Sequence, residues 1–277
     1  MAILLNRRAR LTKWHPRVGQ AFFGLYGFVL VAAVSGCSNQ PQSGEGPGHR
    51  EQSLALSPQQ ELEIGREAYG EIQRKARVVR SGPEIERVRN VGERIAAIVE
   101  VEPLMREINL HLSAGQFEWE YSVLEADQIN AFCLPGGKIC VLTGLLRVVR
   151  DDDQLAAVIS HEIAHALAHH VSERIARQRT TGGGLLALSY DRQQELEADH
   201  IGVFLMTFAG YDPKQSLAFW QHMQRASGPR AAVPVILSDH PSDEHRMREL
   251  RQWIPLALAA KRAYDEGRIA QKPAGAR

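Results

Sequence analysis

Residues 153–170 read Asp-Gln-Leu-Ala-Ala-Val-Ile-Ser-His-Glu-Ile-Ala-His-Ala-Leu-Ala-His-His, with no glycine or proline and with apolar residues at helical spacing. A stretch so uninterrupted reads as a helix buried in the interior, and it carries His161, Glu162 and His165 inside with it. Four helical steps of ~100° return His165 to within ~40° of His161, one turn along the axis, so two imidazoles can converge on one ion. A tetrahedral zinc ion asks this of its first two ligands. Glu162 then leans toward the open coordination position, where a carboxylate can take a proton from water and pass it to a leaving amine. This spacing is the His-Glu-x-x-His signature of zinc peptidases, and it requires a third ligand.

A histidine at 171 following a glycine at 168 would complete one peptidase subtype, but these positions hold Val171 and Ala168. A carboxylate on a following helix is the remaining source, and Tyr190-Asp-Arg-Gln-Gln-Glu-Leu-Glu-Ala-Asp199 supplies it. Glu195 and Asp199 lie one turn apart on one face, while Glu197 is turned ~200° from Glu195 and is expected in solvent. One of the first two can bind the ion while the other orients a ligating imidazole, and geometry alone leaves the assignment open. The first helix is expected to continue to about Gln178, with His169 and His170 structural or solvent-facing.

The net charge of +1 hides an asymmetry. Residues 1–37 carry Arg7, Arg8, Arg10, Lys13 and Arg17 and no acid, which leaves the rest of the chain at −4. Nothing in this balance points to nucleic acid. The basic segment runs into an apolar stretch over 21–34 that is short for a spanning helix and ends at Val34-Ser-Gly-Cys37. The arrangement resembles the lipobox of bacterial lipoproteins, the other reading being an uncleaved anchor. It implies a signal peptide over 1–36, a lipid on Cys37, and a position on the periplasmic face of the outer membrane, the inner membrane being disfavoured by Ser38. Residues 37–53 read as a flexible tether, 54–254 as the folded domain and 255–277 as a short tail.

Within the domain, Ser57-Pro58 starts one helix and Pro83–Val99 fits a second. Ile108–Leu112 and Trp119–Val123 alternate as strands. Ile129–Val141 reads as strand, turn and strand about Pro135-Gly-Gly, either an exposed edge that pairs with an extended peptide or an ordinary hairpin. Cys133 and Cys140 either bridge across it or stay reduced. His240-Pro241 presents an imidazole that either donates to an oxyanion or closes a metal position, and Arg246 either pairs with Asp199 or clamps a substrate carbonyl.

His161-Glu-Ile-Ala-His165, Asn130-Ala-Phe with Pro135-Gly-Gly-Lys-Ile139, Glu195-Leu-Glu-Ala-Asp199, and His240-Pro241 with Arg246 stand in an order that resembles the HtpX-like and CAAX-prenyl-protease-like family of zinc peptidases, in its soluble bacterial lipoprotein branch. The resemblance covers roughly 55–252. It implies a mostly helical α+β, gluzincin-like domain whose small sheet sets an edge strand beside the His-Glu-x-x-His helix. It also implies one Zn2+ held by His161, His165 and Glu195, with Asp199 supporting a ligand, Glu162 as general base and His240 as a second catalytic group. Carried over similarly, Asn130, Gly136, Gly137, Ile139 and Arg246 would contact substrate. Two departures are Asp191, where the family often has a small hydroxyl residue, and a short connection between His165 and Glu195. The implied activity is an endopeptidase acting on unfolded or misassembled envelope proteins. The competing reading is a chaperone-like periplasmic lipoprotein with a latent or structural zinc site. A membrane-embedded prenyl-protein protease is excluded, because no other segment approaches ~20 apolar residues.

Overall fold

The computed structural model describes residues 42–46, 50–101, 104, 116–181, 190–226 and 234–268. The leader over 1–36 and Cys37 lie outside the described residues, as do the strand expected at Ile108–Leu112 and the glycines at 182–184.

The described residues begin with a hairpin in the stretch expected to be a tether. Strand β1 (Gln42–Gly46) pairs antiparallel with β2 (Arg50–Leu54). Composition concealed this because the strand is polar. Its one buried position is Gln52, whose side-chain amide donates to Ala168 O at 2.8 Å. Helix α1 (Pro58–Lys75) follows, started by a capping box between Ser57 and Gln60 with proline at the first turn. A short β3 (Val78–Val79) leads into α2 (Pro83–Ala96), which buries Ile85, Val88, Val91 and Ile95 along one face.

The sheet adds β4 (Glu120–Leu124), β5 (Ala131–Leu134) and β6 (Lys138–Leu142) in the order β3-β4-β6-β5. The β5–β6 hairpin folds so that β6 enters between β4 and β5, which makes β4–β6 parallel and the other pairs antiparallel. Strands β3 and β5 are therefore the edges, and Ile139 on β6 is paired on both sides, with Tyr121 and with Cys133. The register also decides the cysteines. Cys140 stands opposite Phe132 and Cys133 opposite Ile139, so successive side chains place the two thiols on opposite faces. Both are buried and unbridged.

Beyond the sheet come α3 (Thr143–Leu146), α4 (Asp152–Leu167), α5 (His170–Thr181), α6 (Arg192–Phe208), α7 (Lys214–Ala226), α8 (Val235–Asp239) and α9 (Glu244–Asp265). Helix α4 is the axis of the molecule. Every residue from Gln154 to Leu167 is buried, because α6, α2, α7 and the hairpin β5–β6 cover it on all sides. The helix expected to run on to Gln178 breaks at Ala168–His169, where His169 takes φ +53°, and restarts as α5. The domain is mostly helical with a small mixed sheet, the architecture expected from the motifs.

The hairpin turn is seated directly on α1. A Cβ on Gly65 would lie 1.8 Å from Pro135 O, a backbone atom that cannot swing aside. Gly65→Ala is expected to cost at least ~3 kcal/mol by this overpacking, a fall in Tm of ~6–12 °C for a domain of this size. Gly70→Ala, on the same helix, meets only the flexible end of Arg74 at 3.4 Å. It is expected to hold or raise Tm through helix propensity, and differential scanning calorimetry of the two variants measures both.

Candidate metal centre

Asp151 caps α4, its carboxylate accepting from Gln154 N, and sets the helix phase that turns His161 and His165 to one side. Asp191 caps α6 in the same way, in a capping box with Gln194. An aspartate thus does the work of the hydroxyl residue whose absence the sequence raised. The third contributor is α8, stopped at His240 before Pro241.

These elements bring His161, His165, Glu195 and His240 into one buried cluster, with a ligand atom from each within 4.8 Å of all the others. His161 Nε2 lies 3.1 Å from His165 Nε2, 3.4 Å from Glu195 Oε2 and 3.3 Å from His240 Nδ1. Glu195 Oε1 lies 3.4 Å from His165 Nε2 and 2.9 Å from His240 Nδ1. Donors ~2.0–2.1 Å from a tetrahedral ion stand ~3.3 Å from one another, and these separations match. Three imidazoles and a carboxylate are a donor set for a divalent transition metal.

The charges around the cluster are arranged to hold it. Arg246, fully buried on α9, binds Asp199 through two nitrogens at 2.7 and 2.8 Å and pairs with Glu195 Oε2 at 2.6 Å. Its guanidinium also lies over the Trp220 ring at 4.7 Å. Burial pushes both carboxyls up, but Arg246 outweighs it and holds Glu195 well below, and Asp199 below, the ordinary range. His161 Nδ1 stands 3.1 Å from Asp199 Oδ1, close enough to feel its charge, although the N–H is not aimed squarely at it. Burial favours the neutral ring at His161, but Asp199 and Glu195 together raise its pKa to about 9. At His165 burial prevails and holds the ring neutral.

Glu162 is buried next to the cluster, its Oε1 3.3 Å from His240 Nε2 and without a hydrogen bond. Burial raises its pKa. Asn130 donates to Asp239 Oδ2 at 2.9 Å, so it braces the residue before His240.

The other candidate residues are placed as follows. Arg246 is the counter-ion of two buried acids and has no face to offer a substrate carbonyl. Gly136 and Gly137 form a turn at φ +74° and +91° that is buried under Leu62 and Trp119. Ile139 lies inside the sheet, and the edge strand packed against α4 is β5. Glu197, expected in solvent, is also buried, because α5 and β2 cover the side of α6 away from the cluster. Sequence reasoning passed over Tyr190, whose ring stacks on His165 with centroids 3.7 Å apart. Its place just before the α6 cap was the available signal.

Residues 92–185 and 182–254 match the Peptidase family M48. The chain is 34% identical over 172 residues to the mitochondrial metalloendopeptidase OMA1 of Schizosaccharomyces pombe, covering 54% of this chain and 51% of that protein. It is 32% identical over 177 residues to human OMA1, covering 52% and 34%. To the beta-barrel assembly-enhancing protease of Escherichia coli it is 26% identical over 172 residues, covering 51% and 35%. The chain thus spans about half or less of the length of these relatives.

Arg246→Ala strands two buried carboxylates and is expected to cost ~3–5 kcal/mol, with Arg246→Lys losing less because the charge remains. The depressed pKa values give this contribution a sign. It is complete at pH 7 and above ~4, the ordinary carboxylate range, and is lost as pH falls further toward the folded-state values. Urea unfolding at pH 7 and pH 3 measures the gap between wild type and Arg246→Ala, which is expected to close in acid.

Proposed function

The chain belongs to peptidase family M48, and on that premise we propose that it is a zinc-dependent endopeptidase of the bacterial cell envelope acting on unfolded or misassembled envelope proteins. The observation that carries the reading is the buried cluster of His161, His165, Glu195 and His240 with Glu162 beside it. His161, His165 and Glu195 would hold the zinc ion, which supplies Lewis-acid polarisation of a carbonyl and lowers the pKa of water toward ~7.

The protein's own groups do the rest. Glu162, with a proton affinity raised by burial, is suited to take a proton from water at its carboxylate and return it to the leaving amine. Strand β5, packed against α4, is the edge along which an extended chain can be laid, and edge pairing reads backbone more than side chain. Unfolded protein is the substrate class that such recognition favours. An envelope setting is supported by the lipobox-like ending at Cys37 and by the name of the beta-barrel assembly-enhancing relative. Among the described residues no helix is long and apolar enough to cross a membrane.

A specific observation adds to this reading. His240 Nδ1 lies 3.3 Å from His161 Nε2 and 2.9 Å from Glu195 Oε1, so it would compete with a substrate carbonyl for a bound ion and keep the enzyme latent until the Asp239–His240 segment withdraws.

Two variants of the zinc-loaded chain test the proposal, with a reduced and alkylated protein as substrate. Glu162→Gln is expected to lose cleavage at least ~100-fold while keeping zinc and fold. His240→Ala is expected to cleave faster than wild type. A ~10²-fold loss would instead make His240 a donor to the oxyanion. No cleavage by wild type or His240→Ala would sink the peptidase and leave the chaperone-like binding protein.

A further inference from the structure

His170 stands just outside the metal cluster and has no part in the proposed chemistry, yet it is fully buried and bonded at both ring nitrogens. Its Nδ1 lies 2.7 Å from His165 Nδ1, and its Nε2 lies 2.9 Å from Glu197 Oε2. Glu197 in turn accepts from Arg50 Nε at 2.8 Å. The two terminal nitrogens of Arg50 grip both oxygens of Glu173 at 2.6 and 2.8 Å, and Gln194 donates to Glu173 at 2.8 Å. A continuous chain therefore runs from His165 through His170 and Glu197 to Arg50 on β2.

The order of donors along it is determined. A carboxylate paired with a guanidinium has only lone pairs to offer, so the His170 proton sits on Nε2. With that proton on Nε2, His170 offers its Nδ1 lone pair, and the proton between the two histidines is assigned to His165 Nδ1. The lone pair of His165 is left on Nε2, the atom that faces His161 and Glu195. Stacking on Tyr190 fixes the ring plane at the same time.

The backbone is bent to make this possible. Five steps of an unbroken helix would put His170 ~140° around from His165. The break at Ala168–His169 brings it back, at the cost of a non-glycine residue at φ +53°. His169 is held there by Glu61, 2.5 Å from its Nδ1, and by Gln116, 3.1 Å from its Nε2.

We propose that His170 and Glu197 are positioning residues that lock His165 in its Nδ1-protonated, metal-binding tautomer, with Arg50 of the N-terminal hairpin anchoring them. The inference rests on the reading of His165 as a metal ligand.

The test is zinc affinity of the full chain by chelator competition. His170→Gln keeps a donor near the Nε2 position but loses the acceptor, whereas His170→Asn keeps an acceptor where Nδ1 stood. His170→Gln and Glu197→Gln are expected to weaken zinc ~10–100-fold, and His170→Asn less than His170→Gln. The visible spectrum of the cobalt-loaded His170→Gln and Glu197→Gln chains should shift in parallel with their affinities. Affinities within threefold of wild type for both would overturn the proposal. So would equal losses in His170→Asn and His170→Gln, which would mean packing rather than tautomer control. If Glu197→Gln melts well below wild type, the Asn-against-Gln comparison alone decides. His165→Ala separates the two layers: if it binds zinc as tightly as wild type, the ligand reading itself fails.

Discussion

The guanidinium of Arg246 is the interaction on which the interior depends. It is fully buried against Trp220 and is shared by Glu195 and Asp199. Without it two carboxylates on α6 would face α4 as uncompensated buried charges, each a cost that packing cannot recover. With it α6 can lie directly on α4 and carry its acids to His161 and His165. The carboxylates of Glu195 and Asp199 also raise the proton affinity of His161, and a field that draws a proton draws a divalent cation to the same donors, so charge and spacing point to the same class of ligand.

Around this ion pair the elements are held in place by local devices. Asp151 and Asp191 cap the two helices whose phases must agree for the ligands to meet. Asn130, at the start of β5, reaches Asp239, and Ile129 O accepts from Ile236 N at 3.0 Å. Two hydrogen bonds therefore join the edge strand to the segment carrying His240. If an extended chain is laid along β5, the brace on Asp239 is the contact through which His240 would respond.

Much of this was legible in the sequence, and what was not has identifiable causes. His161, Glu162 and His165 could be placed because a glycine-free apolar helix leaves few alternatives, and Glu195 and Asp199 because one helical turn fixes a common face. The β1–β2 hairpin was concealed by its polar composition, the one buried residue of β2 being Gln52. Glu197 was misplaced because a helical wheel gives direction but not burial, and α6 is covered on both sides. The role of Arg246 was among the open alternatives, and only its complete burial between two acids decides it. The break at His169 left no mark at all. Two adjacent histidines in a helical pattern carry no sign that one adopts a positive φ, because its cause lies far away in Glu61 and Gln116.

The two histidines of α4 are supported by the same logic at different distances. His161 faces a carboxylate directly, Asp199, which Arg246 holds. His165 reaches one through His170, and there Glu197 is held by Arg50. Both carboxylates come from α6, whose Glu195-x-Glu-x-Asp199 pattern sends acids to opposite sides of one helix, so α6 must be buried all round for either to work. The two arginines come from opposite ends of the described chain, one on the N-terminal hairpin and one on α9. Each end of the domain thereby closes on the metal centre through its own buried ion pair. The ion pairs of Arg50 thereby tie β2, before the helix that opens at Pro58, to the helices that contain the candidate ligands.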